Sequence, residues 1–597
     1  MKANKIQILT IVVLSGVSLS VEAQEPDSRL NREMTLEREY DPTVQDASKV
    51  NRLPEVKDPE VTRRSIDYSP FTVPADPEKD FTVLPSGSIL TEIPYNKRRG
   101  YFHFGGGMFM NLNGDAGYHI LDTGKDLLNL YLSHRSTNGE VEYLNQYPAY
   151  PQEGKQKAVL NDNLAGLGFR HQFTGSVLRL GAEYGYTAFN YYGWPLLTSS
   201  QMASSVWHGL DSLANRTDRQ ANQTVRGYAG IRSNRNAKIG YTADIDWTHF
   251  SQKYGRTKEV KGLSEDRITG LLDLNVRLGE KEQRAGLTAR LNYFNYVYPF
   301  IRVDSLGYRN YLETTLTPYY RIDGETWHVK LGANVMLITG DSSRLFVSPN
   351  IAAEMQIANR TVFYVNAGGE IGSNDAAGLA HRNRYIDYFS ATLPSRTWLD
   401  ATAGIRSGVT RDFWLSVFAG YKIIENAVFF VPYRNDLSEF GNYSTALQPD
   451  AAVFDVGAML KYSYRGQVDV SLKGVYHNAS FSSSGDNDTR TFGPRLEEML
   501  PFGFPEVEIN AGLTVKPVQP LTLALDYYLG ANRCTWLYGE IAGLNNLNDL
   551  NLTASWNFND TFGVYAKLNN LLFQKQELWY GYPMQSFNAM AGININF

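Results

Sequence analysis

From Tyr101 to Phe597 the chain alternates apolar and polar residues with a period of two, and no other feature restricts its fold so tightly. Between Thr326 and Leu337, Trp327, Val329, Leu331, Ala333, Val335 and Leu337 interleave with His328, Lys330, Gly332, Asn334 and Met336. The same alternation runs through LTLALDYYLG (Leu521 to Gly530), NLTASWNF (Asn551 to Phe558) and the closing NAMAGININF (Asn588 to Phe597), where Met590 is the one apolar intruder on the polar set. A two-residue period assigns one set to each face of a strand. A soluble sheet buries its apolar face in a core, whereas a membrane barrel turns it to lipid and faces the polar set to a watery lumen.

The connections between strands discriminate between the two. Very short ones, Ser233 to Asn236, Asp323 to Glu325, Thr410 to Asp412, Arg465 with Gly466, and Asn559 with Asp560, take turns with long polar ones near 136–160, 192–222, 251–263, 372–397, 425–450, 478–503 and 572–585. One end of the sheet therefore carries tight turns and the other long loops. Counting by that rule gives about 22 strands from 101–112 to 586–597, among them 127–135, 161–173 and 543–558, with both chain ends on the tight-turn side. No later stretch reaches the ~18 apolar residues of a spanning helix. The pattern is that of an all-β, antiparallel transmembrane barrel over residues 100–597. An open sheet in hydrocarbon would leave edge amides unsatisfied at several kcal/mol each, so the last strand is expected to pair with the first, near Tyr101.

The N-terminus differs. Lys2 and Lys5 precede an apolar run from Ile6 and small residues up to Ala23, which reads as a signal peptide over 1–23. Residues 24–99 hold nine prolines and many charges and read as a Pro-rich periplasmic arm. Within it Thr35, Leu36, Glu37, Arg38 and Tyr40 have the β-forming character of a strand that adds to a periplasmic partner. Cys534 is the only cysteine, which leaves no disulfide framework. With 57 basic and 62 acidic residues, the charge balance argues against nucleic-acid binding.

The final strand, with Ile593, Ile595 and Phe597 on one face, resembles the assembly signature of Gram-negative outer-membrane proteins. The strand count resembles the barrel of TonB-dependent receptors, and the tyrosine-rich style resembles such proteins from Bacteroidota. REMTLEREYDPTVQDASKVNRLPEV, Arg32 to Val56, resembles the opening strand of a receptor plug, but only about 75 residues separate signal and barrel, roughly half a plug. The resemblance implies residence in the outer membrane and contact with its lipid. It also implies insertion by the barrel-assembly machinery, and transport of a bulky solute with a periplasmic energy-coupling protein as partner. The shortened plug raises an alternative, a non-transporting scaffold that docks surface lipoproteins or periplasmic factors.

No constellation suggests chemistry, and neither an enzyme, a cofactor nor a metal is expected. The nine histidines are scattered, and His328 sits on a polar strand face. Asp486 and Asp488 lack the remaining ligands of a calcium loop. Gly105, Gly106 and Gly107 lie inside a strand, where close approach accounts for them better than phosphate binding. Trp194, Trp247, Trp398, Trp414, Trp536 and Trp579 fall near strand boundaries, where an indole suits the lipid headgroup layer. The polar-face residues Arg290, Lys330, Asp469, Lys473, Asp526 and Lys567 mix both signs.

Overall fold

The computed structural model describes residues 98–597 except 145–154, 194–218, 235–236, 256–257, 280–282, 298–308, 341–342, 388–391, 435–441, 483–493, 495 and 538. The signal peptide, most of the arm with Thr35, Leu36, Glu37, Arg38 and Tyr40, and also Trp194, Asp486 and Asp488, lie outside the described residues.

Alternation becomes strands in the expected places. The first are β1 (Gly100–Gly107), β2 (Leu112–Asp122), β3 (Asp126–Glu142), β4 (Lys155–Gln172), β5 (Ser176–Asn190), β6 (Arg219–Ser233) and β7 (Ile239–Gln252). There follow β8 (Ser264–Leu278), β9 (Gln283–Val297), β10 (Tyr311–Asp323), β11 (Trp327–Thr339), β12 (Ser343–Ala358) and β13 (Thr361–Gly368, resumed at Ile371–Gly372). The next are β14 (Ser395–Gly408), β15 (Phe413–Glu425), β16 (Asp450–Tyr464), β17 (Val468–Ser482) and β18 (Val507–Val518). The last are β19 (Leu521–Ala531), β20 (Leu547–Asn557), β21 (Phe562–Asn569) and β22 (Asn588–Asn596). Each pairs antiparallel with its neighbours in sequence and β22 returns to β1, so 22 strands close on themselves. Two tight-turn residues, Arg465 and Gly466, both adopt left-handed φ of 50° and 65°, as a two-residue hairpin twisted to match its strands requires.

The seam is made by the closing strand, paired with the first along its length. Ile595 stands opposite Phe102 and Ile593 opposite Phe104, while Asn594 faces His103 and Gly592 faces Gly105. Gly100 and Phe597 exchange both backbone bonds, at 2.7 and 2.9 Å. Gly592 and Gly105 leave room on the inner face for the Tyr565 ring, which reaches from β21 across β22 to β1. Close approach is thus what Gly105 provides. Met590, the intruder, fills the inner face against Gly107 and is 5% exposed.

The outer face is apolar and open. Leu130, Leu132, Leu272, Leu274, Leu287 and Leu291 are each between 38% and 47% exposed, and the band they belong to runs round the ring. Contiguous apolar surface on that scale requires an apolar solvent. No helix among the described residues is long and apolar enough to cross a membrane. The opposite face carries linked polar groups: Tyr131 donates to Glu183 at 2.6 Å, and Arg226 pairs with Glu183 at 3.2 Å and Asp246 at 2.6 Å.

Three details differ from the sequence expectation. The first strand stops at Gly107, because Phe109 and Met110 adopt left-handed φ and turn the chain. The expected 127–135 and 161–173 prove longer, pairing on to Glu142 and Lys155 beyond the apolar band. The expected 543–558 begins at Leu547, since Glu540–Leu544 pairs instead with Arg533–Leu537 in a separate hairpin.

Candidate functional site

The long loops carry structure of their own. Phe429–Arg434 pairs with Asn442–Leu447, Arg533–Leu537 with Glu540–Leu544, and Glu577–Trp579 with Tyr582–Pro583, and the β13–β14 loop holds a short helix, α1 (Ala376–Arg382). These pieces are joined by buried apolar side chains, so they form one layer over the ring's long-loop end. Phe430 packs with Phe250, Leu379 and Ile386 on one side of its hairpin, while Phe429 and Val431 pack with Met499 and Phe502 on the other.

Five tyrosines form the centre of this layer. Tyr191 and Tyr192 follow β5, Tyr385 follows α1, Tyr443 lies in the β15–β16 loop and Tyr582 in the β21–β22 loop, and all are between 1% and 6% exposed. Tyr385 and Tyr582 stack with ring centroids 3.7 Å apart, Tyr192 meets Tyr582 edge-on at 5.2 Å, and Tyr191 meets Tyr443 at 5.2 Å. Strands 5, 13, 15 and 21 occupy separate sectors of the ring, so these contacts cross the mouth. Hydroxyls here meet carbonyls: Tyr192 donates to that of Pro583 at 3.1 Å, and the neighbouring Tyr143 to that of Tyr192 at 2.7 Å. Burial pushes the Tyr192, Tyr385 and Tyr582 hydroxyls above the usual tyrosine range, so each stays neutral and able to donate. Aromatic pairs of this geometry contribute about 0.5–1.5 kcal/mol each beyond their buried area.

Two ionic ties fix the layer. Arg533, 3% exposed, donates Nη1 to the carbonyls of Glu577 at 2.9 Å and Asn545 at 3.2 Å, Nη2 to that of Leu578, and Nε to that of Gly503 at 3.4 Å. It joins three loops at once. Burial pulls its guanidinium down to about 10 and the nearby Glu577 carboxylate offsets part of that, so the charge persists at neutral pH. The second tie holds the β13–β14 loop to the inner wall. Glu265 accepts from the Ala376 amide at 2.6 Å, Arg267 pairs with Asp375 at 3.1 Å, and Glu313 accepts from Ser373 Oγ at 2.9 Å.

Below this layer the inner wall is polar, with a recess of about 540 Å³ among Arg170, Arg179, Glu183, Arg226 and Asp244. Lys330, Lys473 and Lys567 share this face with Asp469 and Asp526, through their register with Arg321, Asn510, Thr553, Thr514 and Gly512. No group of three metal-ligating side chains occurs among the described residues.

Trp247, Trp398 and Trp414 lie on wall strands β7, β14 and β15 and are 42%, 39% and 38% exposed. Trp247 and Trp398 direct Nε1 to Asp266 and Glu425, at 3.3 and 3.1 Å. Trp536 and Trp579 are placed differently from the expectation, off the wall in the loop layer. Trp536 packs beside Phe502 and its neighbours, and Trp579 meets Phe430 edge-on at 5.3 Å. Both sit in hairpins that extend past the ring, which strand boundaries counted along the sequence could not separate from it.

No protein-family model matches the chain. No curated protein matches it either. Among solved structures it is similar to the siderophore receptor PirA from Acinetobacter baumannii, with 11% identity over 84% of this chain and 81% of that one and a TM-score of 0.59. It is also similar to the FrpB iron transporter from Neisseria meningitidis, with 11% identity over 84% and 82% and a TM-score of 0.62. The copper transporter OprC gives 11% identity over 84% and 82% and a TM-score of 0.56. At such identity the likeness is one of fold, and the fold is the 22-strand barrel of the TonB-dependent receptors that the sequence resembles.

Proposed function

We propose that the chain is an outer-membrane, receptor-like barrel through which a bulky solute is taken up. The observation that carries this reading is the loop layer, whose tyrosine centre spans the mouth of a ring with a polar inner wall. A barrel used only to fill a membrane has no need of a polar bore closed by aromatic, hydrogen-bonding loops. Such a layer can bind a large ligand on its outer side and part to admit it. The solved structures of similar fold are named as receptors or transporters of siderophores, iron and copper, which adds weight.

On this reading residues 1–23 direct export and residues 24–99 serve as a periplasmic arm or truncated plug. Thr35, Leu36, Glu37, Arg38 and Tyr40 serve an energy-coupling or other periplasmic partner. Ile593, Ile595 and Phe597 present the closing strand to the assembly machinery, and Trp247, Trp398 and Trp414 sit at the headgroup layers. Removing the chain from its host is expected to abolish uptake of at least one bulky nutrient. A copy carrying Tyr385→Ala and Tyr582→Ala is expected to reach the membrane yet to restore that uptake at a rate altered several-fold, read with labelled nutrient on intact cells. Undiminished uptake of every nutrient tested, together with recovery of the chain in fixed ratio with lipoproteins or periplasmic proteins, would replace transport with the scaffold role.

A further inference from the structure

The loop that carries α1 and Tyr385 is fastened to the wall by acids, and one of these fastenings lacks a hydrogen. Glu265 Oε2 accepts from the Ala376 amide at 2.6 Å, but its Oε1 is buried with no donor to meet it. The Glu265 carboxyl lies instead within hydrogen-bond reach of the Asp375 carboxyl, itself 6% exposed. Two carboxyl groups bond to each other only when one of them carries a proton.

The surroundings favour keeping that proton. Phe250 stands opposite Glu265 on β7 and packs with Leu263, Ala376 and Leu379, so the carboxyl is held beside an apolar cluster. Arg267, two residues along β8, pairs with Asp375 at 3.1 Å. From β10, Glu313 and the Tyr311 hydroxyl both meet Ser373 of the same loop, at 2.9 and 2.8 Å. From β9, Asn292 donates to Glu313 at 2.9 Å and Tyr296 stacks beside Tyr311. On α1, His381 and Arg382 are exposed, and Arg382 lies over Phe430 at 5.3 Å. Glu265 is beyond the apolar band, because the outward residues beside it are His249, Asp266 and Asn295, and exposed Trp247 and Ile268 come only below them. Burial, and after it the Asp375 carboxylate, push the Glu265 carboxyl well above the usual carboxylate range, with Arg267 opposing.

We infer that a proton held between Glu265 and Asp375 latches the β13–β14 loop to the wall, and that its loss releases the loop from the layer over the mouth. With both carboxyls ionised, two desolvated negative charges repel at hydrogen-bond distance, and moving the loop outward returns them to water. A carboxyl whose pKa is raised by docking holds the docked loop fully below the ordinary glutamate value of about 4.3, and the hold fades as pH climbs through the raised value. Tyr385 leaves with the loop, so its stack on Tyr582 opens too. Use of the latch as a gate rests on the transport reading; the latch itself does not.

The test uses the full chain in detergent, with Cys534→Ser and a nitroxide on His381→Cys, an exposed position of α1. Nitroxide mobility, read by electron paramagnetic resonance, should be low at mildly acidic pH and rise with a midpoint roughly two pH units or more above the ordinary value of about 4.3. Glu265→Gln supplies the missing hydrogen permanently and cannot ionise, so its label should stay immobile wherever the band remains heat-modifiable. Glu313→Gln should leave the transition in place. Constant mobility in the unmutated pair, a transition that survives Glu265→Gln, or one that vanishes in Glu313→Gln overturns the inference. Should Glu265→Gln not fold, Asp375→Asn, whose amide also supplies the hydrogen, carries the comparison, and a transition that persists in it overturns the inference equally. Uptake without a pH transition defeats the latch alone, and a transition without uptake defeats the transport reading alone.

Discussion

Replacing Arg533 with methionine is expected to open the loop layer while the ring stays shut. The substitution removes the donor of four hydrogen bonds to carbonyls in three loops and leaves Glu577, fully buried, without its neighbouring cation. Methionine fills much of the volume but donates nothing, so the loss is electrostatic and not a cavity. Hydrogen bonds from a charged donor contribute roughly 1.5–3 kcal/mol each, and every buried carbonyl left unpaired costs about 1–3 kcal/mol. That exceeds what one or two aromatic contacts restore. The strands do not depend on Arg533, because their ladders close below it. Limited proteolysis should therefore cut the variant within 532–546 and 570–587 far faster than the wild type, with an unchanged shift in gel mobility on boiling. Equal protection of those segments would show that the tyrosine centre holds the layer alone.

Gly592→Val is expected to act at the opposite level, on closure itself. A Cβ at this position would overlap the Phe104 carbonyl of β1 as well as the Tyr565 ring. A side-chain clash can relax by a rotamer change, but a backbone oxygen in the neighbouring strand can move only by parting the ladder. The register from Tyr101/Asn596 to Gly107/Met590 is the only covalently unlinked pairing in the ring, with no hairpin to hold it. Each amide left unpaired there in hydrocarbon costs several kcal/mol. The variant should accumulate unfolded, giving no heat-modifiable band, whereas Gly168→Val, whose nearest neighbour is the Tyr228 hydroxyl at 3.6 Å, should assemble. Normal assembly of both would mean that the seam tolerates separation.

The ring was legible in sequence because one force dictates it. Lipid on one side and water on the other impose a two-residue period that no loop imitates, and tight turns such as Arg465-Gly466 punctuate it. The loop layer was not legible. Phe429–Arg434 and Arg533–Leu537 are short, and both faces of the first are buried, so the alternation that marks a wall strand is missing. Arg533 stands among polar loop residues and is distinguished only by its carbonyl partners from three loops. Tyr385 and Tyr582 lie nearly two hundred residues apart in the sequence and meet only through tertiary folding.

Closure of the ring by its last strand is the claim on which the loop layer and the lumen both depend. Its most direct measurement is a disulfide across the seam, made with His103→Cys and Asn594→Cys in a chain whose own Cys534 is changed to serine. Gly100 and Phe597 form a hydrogen-bonded pair, so His103 and Asn594, three residues along, form one of the closer, non-bonded pairs. Their Cα separation of roughly 4.5 Å suits a disulfide. Mild oxidation of membranes should give near-complete crosslinking within one chain, seen as a circularised species that reduction reverts. Two free thiols that remain open to a water-soluble maleimide, in a chain extracted without detergent, would contradict the barrel.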